Sequence, residues 1–252
     1  MTEGRVRKLA KLILSDPEIQ ALQDYANSVA ICRLGFNDHG PVHMRMVAIN
    51  ALRMARLLAD ASIPLSLEAE GLGTAEDSRC ALLLAAMLHD IGMGVGRQGH
   101  ETNSAILALP IVTRLLARVY PESLELQVRL RCLVLECIEG HMAIQRVHSL
   151  EAGLILIADG CDMEKGRARV PMMINNEPRV GDIHRYSASS IERVDIAKGE
   201  RHPISIRVEM SESVGFFQVE EVLLQKVAMS PAKGLIELEA KVTGEEARHY
   251  LG

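Results

Sequence analysis

The sequence predicts a mainly α-helical chain that ends in a small α+β unit, and three observations carry this. From the start to about residue 165, apolar residues recur near the 3.6-residue helical period, punctuated by Pro, Gly and Asx residues. The nine-residue apolar run Cys80–Leu88 marks a helix buried on all sides at the centre of that region. Beyond about residue 170, Ile204, Ile206, Val208 and Met210 alternate with Ser205, Arg207 and Glu209, the two-residue period of a strand. The division is placed at residues 1–170 and 171–252.

Leu9, Leu12 and Ile13 give one short amphipathic helix. Pro17 opens the next, which includes Ile19, Leu22, Tyr25, Val29 and Leu34. Asn37-Asp38-His39-Gly40-Pro41 reads as a loop running into a helix start, with Pro at the first helical position. That helix runs to about Asp60, with Val42, Met46, Ile49, Leu52 and Leu57 as its apolar set. Residues 61–73 connect to Thr74-Ala75-Glu76-Asp77, which resembles a capping box. The buried run follows and ends at His89-Asp90-Ile91-Gly92. Gly99 to Asn103 opens a helix that Pro110 interrupts, and Pro121 opens another that stops at Gly140-His141. Ser149 can cap a helix over 150–159, ending at Asp159-Gly160. In the C-terminal unit, strands are expected near 191–197, 203–210 and 235–242, with a helix near 217–229. This unit is expected to supply packing or dimerisation rather than catalysis. The polar stretch Gly181 to Ser187 reads as a linker, or as a segment that reaches the active site or a partner subunit.

Composition narrows the function classes. The chain has 252 residues, 48% of them hydrophobic, enough for a substantial core. No apolar run approaches the roughly 18 residues of a membrane span. Met1 to Lys11 is basic but lacks the apolar core of a signal peptide, so a cytoplasmic protein is the expectation. A formal net charge of -5 argues against a general nucleic-acid surface. Five cysteines form no CxxC pair, and four sit among apolar residues. They read as buried reduced thiols rather than a thiolate metal site. A homodimer is compatible with all of this.

The histidines are more informative. His43, His89-Asp90, His100, His141 and Asp159 each fall on a different expected helix or its boundary. Helical bundles build metal sites by bringing such positions together. Imidazole and carboxylate suit one or two ions of Mn, Fe, Zn, Co or Mg. A His-Asp pair at a helix end can bind from two sides, with the carboxylate bridging two ions.

Three stretches, Asp38-His39-Gly40-Pro41-Val42-His43, Leu88-His89-Asp90-Ile91-Gly92 and Ile157-Ala158-Asp159, resemble the HD superfamily of metal-dependent phosphohydrolases. The resemblance covers about residues 28 to 165. It implies an HD-type helical bundle in which His43, His89, Asp90 and Asp159 bind one metal. Many relatives add two histidines and a second metal, and His100 and His141 stand in the matching places, with Asp90 as the bridge. His148 competes with His141, and both His100 and His141 also admit plain structural roles at helix ends.

The implied activity is hydrolysis of a nucleotide or other small phosphoester, with His89 and Asp90 at its centre. A divalent ion lowers the pKa of its water from about 15.7 towards 7. A non-catalytic nucleotide-binding regulator and an HD-fold di-iron oxygenase are the alternatives. Many relatives continue His-Asp-Ile-Gly with Lys, where this chain has Met93. Phosphate recognition is therefore expected from Arg97, Lys165, Arg167 and Arg169, with His39 as a further substrate contact.

Overall fold

A computed structural model describes residues 4–164 and 183–252. The helical part runs α1 (Arg5–Leu14), α2 (Pro17–Ser28), α3 (Pro41–Asp60), α4 (Ser66–Ala69), α5 (Ala75–Leu88), α6 (His100–Val119), α7 (Leu124–Gly140) and α8 (Leu150–Cys161). A π turn, Val29–Arg33, extends α2, and a 3₁₀ turn, Ile91–Gly94, follows α5. Helix starts carry the side chains that orphan backbone N–H groups need. Asp16 accepts from Glu18 and Ile19, Ser123 from Leu126, and Ser149 from Ala152. Thr74 and Asp77 close a reciprocal capping box at the start of α5.

Helix α5 is the centre of the bundle. Leu82, Leu84, Ala85, Ala86 and Leu88 are buried, and α1, α3, α7 and α8 pack around it. Its last turn is satisfied from two directions. Gln23 donates to the Met87 carbonyl at 2.8 Å, and the His89 ring nitrogen Nδ1 meets the Ala86 carbonyl at 2.9 Å. The chain then turns sharply against α6. A methyl group added at Gly92 would lie 2.1 Å from the His100 carbonyl oxygen and 2.4 Å from the Ser104 amide nitrogen. The Gly92 amide donates to Ser104 Oγ at 2.8 Å. Glycine is what lets the turn after Asp90 dock on the helix that carries His100.

The C-terminal residues form α9 (Ile183–Ser190) and a four-stranded sheet, β1 (Ile191–Lys198), β2 (Ile204–Met210), β3 (Ile236–Val242) and β4 (Arg248–Leu251). The strands lie in that order; β2 and β3 are parallel and the outer pairs antiparallel. The parallel pair needs a crossover, which is helix α10, residues 216–229, with a π turn at Val219–Leu223. Ile206 sits between Ile196 and Leu238, and Val208 between Val194 and Ala240. This apolar face joins the same continuous core as the helices. The other face carries Arg207–Glu239 and Lys241–Glu209 ion pairs across the strands.

Several expectations are corrected. The apolar set read on α3 is not its core face: Val42, Met46 and Ile49 are exposed. The buried face is His43, Met44, Val47, Ala48, Ala51, Met54, Ala55 and Leu58. Helix α3 is apolar around most of its girth, and the small residues on the second face allow close approach to α5. Pro110 does not interrupt α6, which runs unbroken through it. The carbonyl it leaves without a helical partner belongs to Ile106, an exposed residue, where water can serve it. Helix α7 starts at the Ser123 cap rather than at Pro121, and α8 runs past Asp159 to Cys161. Three cysteines are buried, Cys80, Cys137 and Cys161, whereas Cys32 and Cys132 are exposed. Helix α6 is long and apolar enough to cross a membrane, yet Ile111, Val112, Leu115 and Leu116 lie in the protein core.

Two residues hold the helices that matter most. Glu151, fully buried in the first turn of α8, accepts from the Ser66 and Leu67 amides and from Ser78 Oγ, tying α8 to α4 and α5. Replacing Glu151 with Gln puts an amide donor among three donors and should cost about 1–3 kcal/mol, read as a lowered denaturant midpoint. Gly92→Ala should cost about 2 kcal/mol or more, because backbone rather than a flexible side chain must yield. Gly96→Ala, at a position with open space, should stay within about 0.5 kcal/mol of wild type. Equal melting temperatures for the two alanine variants would contradict the close-approach account.

Candidate metal centre

Five helices deliver side chains to one point. His43 comes from the first turn of α3, and His89 and Asp90 close the end of α5. His100 opens α6, His141 follows the last residue of α7, and Asp159 lies in the last turn of α8. The four histidines and Asp90 are buried.

The hydrogen positions follow from the outer partners. The Nδ1 atoms of His89, His100 and His141 face the carbonyl oxygens of Ala86, Arg97 and Ile138 at 2.9, 2.9 and 2.6 Å. His43 Nδ1 faces the Asp162 carboxylate at 2.6 Å. Carbonyl and carboxylate oxygens only accept, so each Nδ1 donates and each neutral ring turns the lone pair of Nε2 inward.

Those lone pairs meet one another. His43 Nε2 is 3.1 Å from His89 Nε2, and His100 Nε2 is 3.1 Å from His141 Nε2. Asp90 stands between the two pairs. Its Oδ2 lies 3.2 Å from His43 Nε2 and 3.4 Å from His89 Nε2, while its Oδ1 lies 3.2 Å from His100 Nε2 and 3.4 Å from His141 Nε2. Asp159 Oδ1 adds to the first pair, 3.2 Å from His43 Nε2. Two cations flank this cluster of acceptors: Lys226 donates to Asp159 Oδ2, and the Arg97 guanidinium is 3.4 Å from His100 Nε2.

The electrostatics agree. Burial opposes the charge of Asp90, but His89, His100 and His141 hold its carboxyl well below the usual carboxylate range. Burial likewise opposes the charge of Asp159, and Lys226, His43 and His89 outweigh it in the same direction. Burial pushes His141 down to about 4, so its ring stays neutral. Burial also disfavours a charged His89, yet Asp90 and Asp159 raise it above the ordinary imidazole value. The cluster calls for positive charge at its centre. His43, His89 and Asp159, and also His89, Asp90 and His141, offer ligand atoms within 4.8 Å of one another, and each group can hold a metal ion. Separations of 3.1–3.4 Å match the edges of a coordination shell, whose metal–ligand bonds are about 2.0–2.2 Å.

A cavity of about 310 Å³ opens over this centre. Asp90, His141 and Asp159 form its floor, and Asn37, His39, Arg97 and residues of α10 form its walls. His39 and Arg97 therefore stand beside the cluster. Arg97 is half-buried, over the Phe36 ring and against the Met93 and Met142 sulfurs. His148, the competitor of His141, is exposed, its amide capped by Glu136. Lys165, Arg167, Arg169 and the residues Gly181 and Asp182 lie outside the described residues.

Two participants escaped the sequence reading. Asp162 orients His43, and only its place three residues past Asp159 hinted at this. Lys226 reaches in from α10, donating to Asp159 Oδ2 and, at 2.7 Å, to the His141 carbonyl. It lies 67 residues beyond Asp159 in a helix that read as an ordinary amphipathic one, so no local signal marked it.

The HD domain family matches residues 42–164. The chain is 39% identical over 244 residues to an uncharacterized protein of Methanocaldococcus jannaschii, a match covering 97% of this chain and 92% of that relative. No solved structure matches the chain significantly. The chain belongs to the HD superfamily of metal-dependent phosphohydrolases.

Proposed function

We propose that this protein hydrolyses a nucleotide or another small phosphoester at a centre of two divalent ions. The observation that carries the reading is the convergence of four Nε2 atoms and three carboxylate oxygens, with every Nδ1 turned outward to an acceptor. Such acceptors repel one another in a buried site unless cations sit among them. His43, His89, Asp90 and Asp159 would hold one ion, and His100, His141 and the other oxygen of Asp90 the second. Oxygen and imidazole donors fit Mn, Fe, Zn, Co or Mg. Divalent ions supply an acidified water and charge neutralisation at phosphate oxygens.

The chain's own residues do the rest. The carbonyls behind His89, His100 and His141, and Asp162 behind His43, fix the rings in the tautomer a metal needs. Arg97 forms no carboxylate pair among the described residues, which leaves its guanidinium for a substrate oxygen. His39 lines the same wall and can contact the substrate. A cavity of about 310 Å³ favours a small substrate. The five cysteines form no disulfide, which is compatible with a cytoplasmic setting.

Elemental analysis of protein prepared without chelator should find two ions per chain. His100→Ala or His141→Ala should leave one, and Asp90→Ala should lower occupancy of both. Hydrolysis of at least one member of a nucleotide and phosphoester panel should vanish in the His89→Ala and Asp90→Ala variants. Loaded wild-type protein that cleaves nothing across a wide panel would sink the hydrolase reading. Arg97→Ala should lower kcat/KM about tenfold or more while retaining metal.

Metal retention should also depend on pH with a definite sign. Protons compete for the Nε2 lone pairs, and Asp90 and Asp159 raise His89 above its ordinary value against the opposing effect of burial. Both carboxylates remain ionised there. Retention should therefore be full at alkaline pH and be lost as pH falls through the imidazole range, not the carboxylate range. Equilibrium dialysis at stepped pH measures this; loss only near pH 4 would contradict it.

A further inference from the structure

The residue after Gly92 is Met93, fully buried with Ala26 and Ala30 and without charge. The structure places an ammonium group at the centre. We propose that Lys226 is a phosphate-contacting cation of this site, supplied by the C-terminal unit; the inference rests on the phosphoester reading above.

An ammonium carries three hydrogens. Two of those on Lys226 are placed, one on Asp159 Oδ2 and one on the His141 carbonyl. No further partner takes the third among the described residues. Lys226 lines the cavity together with Asp90, His141 and Asp159, so the remaining hydrogen belongs to the side from which a substrate oxygen arrives. The residue is only 7% exposed, and burying an ammonium carries a desolvation cost that a purely packing residue would avoid. The fold makes room for it. A methyl group at Gly160 would lie 3.0 Å from Lys226 Cδ and 3.1 Å from Leu223 Cδ1, so the glycine after Asp159 lets α10 bring its lysine alongside. Lys226 holds one group from each half of the cluster, Asp159 beside His43 and the carbonyl of His141.

The test is titration of inorganic phosphate into the Mn²⁺-loaded full chain by calorimetry, with metal content and melting temperature measured in parallel. Lys226→Gln keeps a neutral donor at the site. It should retain Mn²⁺ and bind phosphate about tenfold or more weakly. Lys226→Arg, which keeps the charge, should stay within about threefold of wild type. Wild-type phosphate affinity in the Gln variant would overturn the proposal. So would loss of Mn²⁺ from that variant, which would make Lys226 a positioning residue for Asp159 and His141 alone. Should the Gln variant not fold, the Arg variant decides, and a loaded Arg variant with no measurable phosphate binding would overturn the proposal. A wild-type chain that takes up no Mn²⁺ would instead refute the metal reading beneath it, a distinct failure.

Discussion

A carboxylate buried at the meeting point of five helices is the constraint around which this protein is arranged. Asp90 is removed from water and has each oxygen within 3.4 Å of two imidazole nitrogens. An isolated buried carboxylate would be far too costly to keep ionised. Here the surroundings hold it ionised, and the histidines are themselves locked by acceptors behind them. The cluster is thus a set of acceptors whose common complement is positive charge at its centre.

Such a set demands accurate helix ends, because each ligand-bearing position lies at or near a terminus. Helix termini leave carbonyls and amides without partners, and the chain uses them. The carbonyls of Ala86 and Ile138, three residues before His89 and His141, fix the tautomers of those rings. Gly92 permits the backbone of the turn after Asp90 to touch the backbone of α6, which sets the spacing between Asp90 and His100. Glu151 performs the corresponding task for Asp159 by tying α8 to the start of α5. Precision at the site therefore comes from backbone contacts and buried polar ties, elements that move little once the core is packed.

The C-terminal unit is part of this arrangement. Its sheet shares the helical core, and α10 lies against α8 with Lys226 directed at Asp159. A crossover between parallel strands needs a helix on one face of the sheet, and this one covers the cavity wall as well. The same helix thus packs the sheet and contributes a charge to the site.

The sequence alone determined the helical class, the buried central helix, the caps at Thr74 and Ser149, and the strand alternation at 204–210. Those features are local: each depends on residues within a turn or two, or on a period that survives in one dimension. Order and flanks also singled out His43, His89, Asp90, His100, His141 and Asp159, because helix boundaries announce themselves through Gly, Pro and Asx residues. Tertiary structure decided what depends on distance in space. It chose the His43 face of α3 over the equally apolar Val42 face, since only packing against α5 distinguishes them. It brought His141 rather than His148 to the cluster. It placed Lys226 beside Asp159 across 67 residues of chain, a contact with no local trace, because a lysine on an amphipathic helix reads as solvated until the surface it faces is known.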